Sequence, residues 1–156
     1  MKKLEYIDHK FKDQPTTKRS VSTVIFHDVE GNFLLQDRKS VSKSGEEWGL
    51  FGGGIEEDES PEEALNRELT EEIADLPSNL KYKVFCVGHV VYFSEKQKNY
   101  RELFENVFTC RLPKGLKINV LEGDGARWFG YDSLIKLKWI PGDREVIELF
   151  YNETLW

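Results

Sequence analysis

Gly53–Asp75, GGIEEDESPEEALNRELTEEIAD, is the stretch on which fold and chemistry both turn. Its middle carries the signals of a helix start: Ser60 is a good N-cap, Pro61 suits the first helical position, and Glu63 completes a capping box. Leu65, Leu69, Ile73 and Leu76 recur at helical spacing and predict the buried stripe, and Pro77 predicts the stop. At about 100° per residue, Glu72 lies about 40° to one side of Glu68 and Glu71 about 60° to the other. The three carboxylates therefore share one face at the margin of the stripe, where a cleft can open. Like charges at these spacings destabilise a helix by about a few tenths of a kcal/mol. A divalent cation would remove that cost, and oxygen ligands favour Mg²⁺ or Mn²⁺ over zinc.

Working outward, residues 1–18 are polar and mixed, an N-terminal strand or arm. From Ser20 the pattern is that of a strand: Val21, Thr23 and Ile25 alternate with Ser22, Val24 and Phe26, and both faces read as buried. Glu30-Gly31-Asn32 is a turn, and Phe33–Arg38 the returning strand of a hairpin. Residues 39–47 read as a solvated loop, followed by the aromatic and glycine segment Trp48–Ile55, where Trp48 reads as an anchor. Beyond the helix, strands are expected at Tyr82–Phe93, Leu103–Leu112 and Ala126–Phe129, a short helix at Tyr131–Leu137, and a last helix introduced by Pro141-Gly142-Asp143. The order implies an α/β or α+β sandwich with a mixed sheet between helices.

The chain has 156 residues, which fits one domain spanning 1–156. With 39% hydrophobic and 32% charged residues it reads as globular, and a net charge of −6 argues against a nucleic-acid polymer as partner. No apolar run reaches the roughly 18 residues of a membrane helix, and the N-terminus has no apolar core of a secretory signal. The expectation is a cytoplasmic protein in which Cys86 and Cys110 are buried free thiols. His9, His27 and His89 have no metal-ligand spacing.

A lone Glu-Glu pair on a helix is more often a solvated acidic face. Here, Gly53, Glu59, Arg67, Glu68, Leu69, Glu71 and Glu72 stand at fixed spacing behind a triple glycine. That segment resembles the Nudix box, Gly-x5-Glu-x7-Arg-Glu-U-x-Glu-Glu-x-Gly-U, in which U is a bulky aliphatic residue. The chain departs from it at Ala74 and Asp75, which replace the last two defined positions, and Asp58 stands where the family often has glycine. The resemblance implies a Nudix-type α/β/α sandwich with a mixed central sheet, and a Mg²⁺-dependent hydrolase (Mn²⁺ as substitute) that cleaves the pyrophosphate linkage of a nucleoside diphosphate-X substrate.

Carried over by position, Glu68, Glu71 and Glu72 would be metal-binding and catalytic carboxylates, the Gly52 carbonyl a further ligand, and Gly53, Glu59 and Arg67 the scaffold of the motif. Glu122, in Leu121-Glu122-Gly123, resembles the extra metal ligand or general base of the MutT-like branch, so Glu68 and Glu122 are joint candidates for the base; an acidic turn is the plain alternative. Arg38 either reaches a substrate phosphate or is a solvated strand end. Trp139 and Asp143 fall where MutT-like proteins place base-recognising groups, although an N-cap is the favoured reading of Asp143. The leading substrate is a (deoxy)nucleoside triphosphate, split into monophosphate and pyrophosphate. Dinucleoside polyphosphates, to which Tyr92 gives a hint, and nucleotide sugars are alternatives, as is a catalytically silent nucleotide-binding module. The partner implied is a small nucleotide, and since family members are often dimers, the resemblance leaves a homodimer open.

Overall fold

The computed structural model describes residues 2–154 and Trp156. In chain order the strands are β1 (Lys2–Ile7), β2 (Thr16–His27), β3 (Phe33–Asp37), β4 (Trp48–Gly49) and β5 (Phe51–Gly54). Helix α1 (Pro61–Glu72) follows, then β6 (Lys83–Ser94), β7 (Asn99–Arg111), β8 (Ala126–Phe129), α2 (Tyr131–Leu134) and α3 (Asp143–Glu153). The eight-stranded sheet runs β1-β6-β7-β2-β3-β4, with β5 on β2 and β8 on β3. It is mixed: β2 lies parallel to β7 and β1 to β6, whereas the β6–β7, β2–β5 and β3–β8 pairs are antiparallel.

The two-residue period of β2 builds two cores. Ile25 packs with Phe33, Leu35, Cys86 and Val107 beneath α3, which contributes Val146, Ile147 and Phe150. Its neighbours Val24 and Phe26 point the other way, to Leu34, Phe51 and Phe108 beneath Leu65 and Leu69 of α1. A sheet covered on both faces is the α/β/α sandwich, and it explains why β2 reads apolar on both sides. Cys86 and Cys110 are buried and free, and burial pushes their thiols up to about 12 and about 11.

Several boundaries differ from the sequence expectation. Strand β2 begins at Thr16, because the polar stretch Thr16–Arg19 pairs with Tyr100–Leu103 of β7. The loop expected between Ser94 and Arg101 shrinks to a turn, with Ser94 already paired to Asn99. Helix α1 stops at Glu72, before Pro77, and Leu76 is off the helix. Ile73 takes an extended conformation (φ −130°, ψ 123°), bridges to Val120, and closes the helix through its N–H to the Leu69 carbonyl. Ala74 N–H donates to the Asn119 carbonyl at 2.9 Å, and Leu121 N–H to the Glu72 carbonyl at 2.7 Å. The box's glycine is therefore not needed at 74, since the chain leaves the helix as a strand-like segment. Asp75 accepts from the Asn119 N–H at 2.8 Å and so fastens the same junction. Asp58 does adopt the left-handed conformation (φ 67°) that a glycine takes without strain.

Candidate active site

The box loop and helix are locked together by Arg67. Its Nε donates to Glu59 Oε2 at 2.7 Å and its Nη2 to Glu59 Oε1 at 2.9 Å, a two-point pairing. The same Nη2 donates to the Gly54 carbonyl at 2.8 Å, and Nη1 to Glu68 Oε1 at 3.0 Å. The Arg67 bonds hold the Glu59 carboxyl down to about 2. Glu71 stands 3.5 Å from the same guanidinium. Arg67 thus sets the positions of both the loop and two of the acids.

Loop and helix meet at two glycines. A side chain on Gly52 would start 2.1 Å from the Ser22 carbonyl, and one on Gly53 would start 2.4 Å from the Glu68 carboxyl carbon. With no side chain there, Gly52 N–H reaches Glu72 Oε1 at 2.9 Å. Glu72 is 2% exposed. Burial, then the negative charges of Glu122 and Glu68, pushes its carboxyl up to about 8. Three acids from two segments therefore converge, and Glu68 and Glu122 oppose the ionisation of Glu72.

Glu122 arrives there because its loop is clamped on both sides. Leu121 N–H bonds the end of α1, and Gln36 Nε2 donates to the Glu122 carbonyl at 2.8 Å. Gly123 follows with φ 88°, and a side chain on it would start 2.6 Å from the Asp37 carbonyl.

Glu68, Glu71, Glu72 and Glu122 line one cleft of about 320 Å³, with Gly52 and Gly53 at its edge. Among the described residues no three such groups already stand in a metal-holding arrangement, since Glu68 and Glu71 are turned onto Arg67. The donor chemistry nevertheless fits a hard divalent cation: carboxylate oxygens only, a buried acid held against two like charges, and a side-chain-free approach at Gly53.

Arg38 and Asp143 line the same cleft. Arg38 is no solvated strand end: its Nε donates to Glu46 at 3.0 Å and its Nη1 to Gln36 Oε1 at 2.8 Å. The loop 39–47 is likewise anchored rather than solvated throughout, because Glu46 is 1% exposed and accepts from the Ser42 hydroxyl and the Ser44 N–H. Asp143 is not the N-cap of α3, a place taken by Gly142. It is buried beside the Leu50 N–H, and burial pushes it up to about 7. Trp139 lies outside the cleft: its indole packs on the α3-side core, its Nε1 donating to the Leu134 carbonyl at 2.9 Å.

The cleft holds further residues that the sequence reading passed over. The Arg19 guanidinium lies over the box loop, 2.6 Å from where a Gly54 side chain would begin. Arg101 and Glu105 line the cleft with it; Tyr92, already singled out in the sequence, is buried there too and pairs its hydroxyl with Ser44 at 3.1 Å. Glu105 had a signal: it shares the inward parity of Leu103 and Val107, which makes it an acid on a buried strand face.

The NUDIX domain family profile matches residues 16–150. No curated protein matches the chain significantly by sequence. Among solved structures, the E. coli dihydroneopterin triphosphate pyrophosphohydrolase aligns over 90% of this chain and 100% of its own, with 20% identity and a TM-score of 0.71. A MutT protein from Methanosarcina mazei Go1 aligns over 90% and 98%, with 20% identity and a TM-score of 0.65. A MutT protein from Bacillus halodurans is 26% identical over 86% and 83%, with a TM-score of 0.60. The chain belongs to the NUDIX domain family and is a Nudix hydrolase, an enzyme of a family that generally uses divalent metal ions and acts on small nucleotide substrates.

Proposed function

We propose that the protein hydrolyses a nucleoside triphosphate, or a close heterocyclic analogue, to the monophosphate and pyrophosphate, with Mg²⁺ held by Glu68, Glu71, Glu72, Glu122 and the Gly52 carbonyl. The observation that carries this reading is the convergence of Glu68, Glu72 and Glu122 at the head of the cleft. A divalent cation there supplies neutralisation of the diphosphate's charge. The chain's own residues do the rest. Arg19, over the box loop, takes a phosphate oxygen, a task Arg38 is less free to perform while it holds Glu46. Glu122 is exposed at the cleft and receives the proton of the attacking water, because Glu68 is engaged by Arg67. Water adds at one phosphorus, the bridging P–O bond breaks, and pyrophosphate leaves. Arg67 and Glu59 hold the loop in register and stay out of the reaction.

The test is a substrate panel with Mg²⁺ and product identification, covering the common nucleoside triphosphates and a dinucleoside polyphosphate. Dihydroneopterin triphosphate belongs in it, as the compound named for the E. coli neighbour. Monophosphate plus pyrophosphate is expected, with Glu72→Gln reduced about 100-fold or more. Binding without turnover across the panel would point instead to the silent module.

A further inference from the structure

A second recess lies at the other end of α3. The helix starts at the cleft with Asp143 and ends over this recess with Phe150 and Thr154, and along β2 Val21 and Thr23 line the cleft while His27 lines the recess. Strand register gathers its floor: Arg111 of β7 lies beside His27, and Lys83 of β6 beside Thr109. With Lys81 and Lys114 these residues surround a space of about 700 Å³ that no acid lines among the described residues. Lys114 pairs with Glu30 at 2.8 Å, whereas Lys81, Lys83 and Arg111 have no ionic partner among the described residues. In a chain of 28 acidic against 22 basic residues, this is a local reversal of sign. The end of α3 does not account for it, because the Thr154 N–H and hydroxyl already bond the Tyr151 and Phe150 carbonyls. His27 feels the resulting field. It is 6% exposed, its Nδ1 faces the Asp28 carbonyl at 3.4 Å, and its Nε2 has no partner among the described residues. Burial holds its imidazole below the ordinary range, and the charges of Arg111 and Lys83 lower it further.

We propose that this recess is a second, metal-independent binding site that takes the phosphate of a small molecule on Lys83 and Arg111, beside His27. A concave wall of low dielectric concentrates the field of such charges. A guanidinium holds phosphate by two parallel N–H bonds and an ammonium holds it as a point charge, so the pair suits a phosphate group well. With the His27 Nδ1–H turned to the Asp28 carbonyl, Nε2 carries a lone pair. A dianion bound beside it favours uptake of a proton from solvent, after which both ring nitrogens donate. The acid-lined cleft needs a cation before it accepts phosphate; this site does not. Leu80, Leu112 and Phe150 wall the remaining space, so an organic body can accompany the phosphate. Two sources carry this chemistry, free pyrophosphate and a phosphate ester such as a nucleoside monophosphate. The inference stands apart from the hydrolytic reading, since the two spaces share no lining residue.

The experiment is a heteronuclear NMR titration of the full chain in chelator, following the His27 imidazole as pyrophosphate, adenosine monophosphate or sulfate is added at constant ionic strength. Chelator disables metal-bridged binding at the carboxylates, so an error in the hydrolytic reading leaves this result interpretable. Pyrophosphate or adenosine monophosphate is expected to shift the His27 resonances saturably. The tighter of the two is expected to bind about tenfold or more tightly than sulfate, which lacks both a second phosphate and an organic body. That ligand identifies the source. Arg111→Gln and Lys83→Gln, both at exposed positions and each checked for folding by circular dichroism, are expected to weaken its binding about tenfold each. No saturable shift with either ligand, binding no tighter than that of sulfate, or affinity unchanged in both variants would overturn the proposal.

Discussion

Glu72 concentrates the argument at the residue scale. A carboxylate at 2% exposure beside two other acids is costly in the metal-free protein, relieved in part by the Gly52 N–H and by the positive charge of Arg38. Glu72→Gln keeps the shape and removes the charge. In chelator, its melting temperature is expected to equal or exceed that of the wild type, while the upward shift on adding Mg²⁺ shrinks; differential scanning calorimetry with and without the metal reads both. Much at this scale was legible. The Glu59–Arg67 pairing and the shared face of Glu68, Glu71 and Glu72 follow from spacing, because a helix fixes which side chains are neighbours. Strand parity could flag Glu105 as buried, but neither its place in the cleft nor that of Arg19 was legible, because what surrounds a strand residue is set by strands distant in sequence. Asp143 was misread because a cap and a first-turn residue differ by one position.

The elements turn on where α1 begins and ends. Its start follows local rules: the Ser60 hydroxyl accepts from Glu63 N–H at 3.1 Å, and Glu63 returns the bond to Ser60 N–H at 3.0 Å. Ser60→Ala is expected to destabilise the fold by about 1 kcal/mol in urea denaturation, with activity per folded molecule unchanged. Its end is set by tertiary contact, with residues 119–121 coming from far along the chain to take the place of the expected run to Pro77. The same junction carries Glu122 to the cleft, so the loop's geometry belongs to the site. Gly123→Ala would strain a φ of 88° and push against the Asp37 carbonyl. It is expected to cost about 1–3 kcal/mol and to lower kcat more than tenfold by displacing Glu122, as steady-state kinetics beside a denaturation curve can show.

For the molecule as a whole, α1 and α3 cover opposite faces of one sheet, and the cleft opens where β5, the end of α1 and the start of α3 approach one another. The sandwich was legible because β2 alternates apolar residues on both faces. Which strands pair was beyond any local signal. Buried acids at both ends of this cleft give the fold a definite pH response. Asp143 titrates at about 7 in the folded state against an ordinary value of 3.8. The folded protein therefore holds a proton that the unfolded chain has lost, so this group's contribution is complete below about pH 4 and declines as pH rises through 7. Denaturation from pH 4 to 8 is expected to show Asp143→Asn gaining stability relative to the wild type as pH rises. Opposite behaviour comes from Glu59, held at about 2 by Arg67, whose contribution is lost only as pH falls toward 2. The central claim, that the acids gathered around Glu72 drive cleavage of a pyrophosphate link, is tested most directly by phosphorus NMR of products from guanosine triphosphate and dihydroneopterin triphosphate, for wild type and Glu72→Gln. The account predicts monophosphate and pyrophosphate from at least one of them, only with divalent metal, and near silence from the variant. No cleavage of either compound with divalent metal, or wild-type turnover by Glu72→Gln, would contradict it; orthophosphate with a diphosphate would overturn the assignment of the cleaved link.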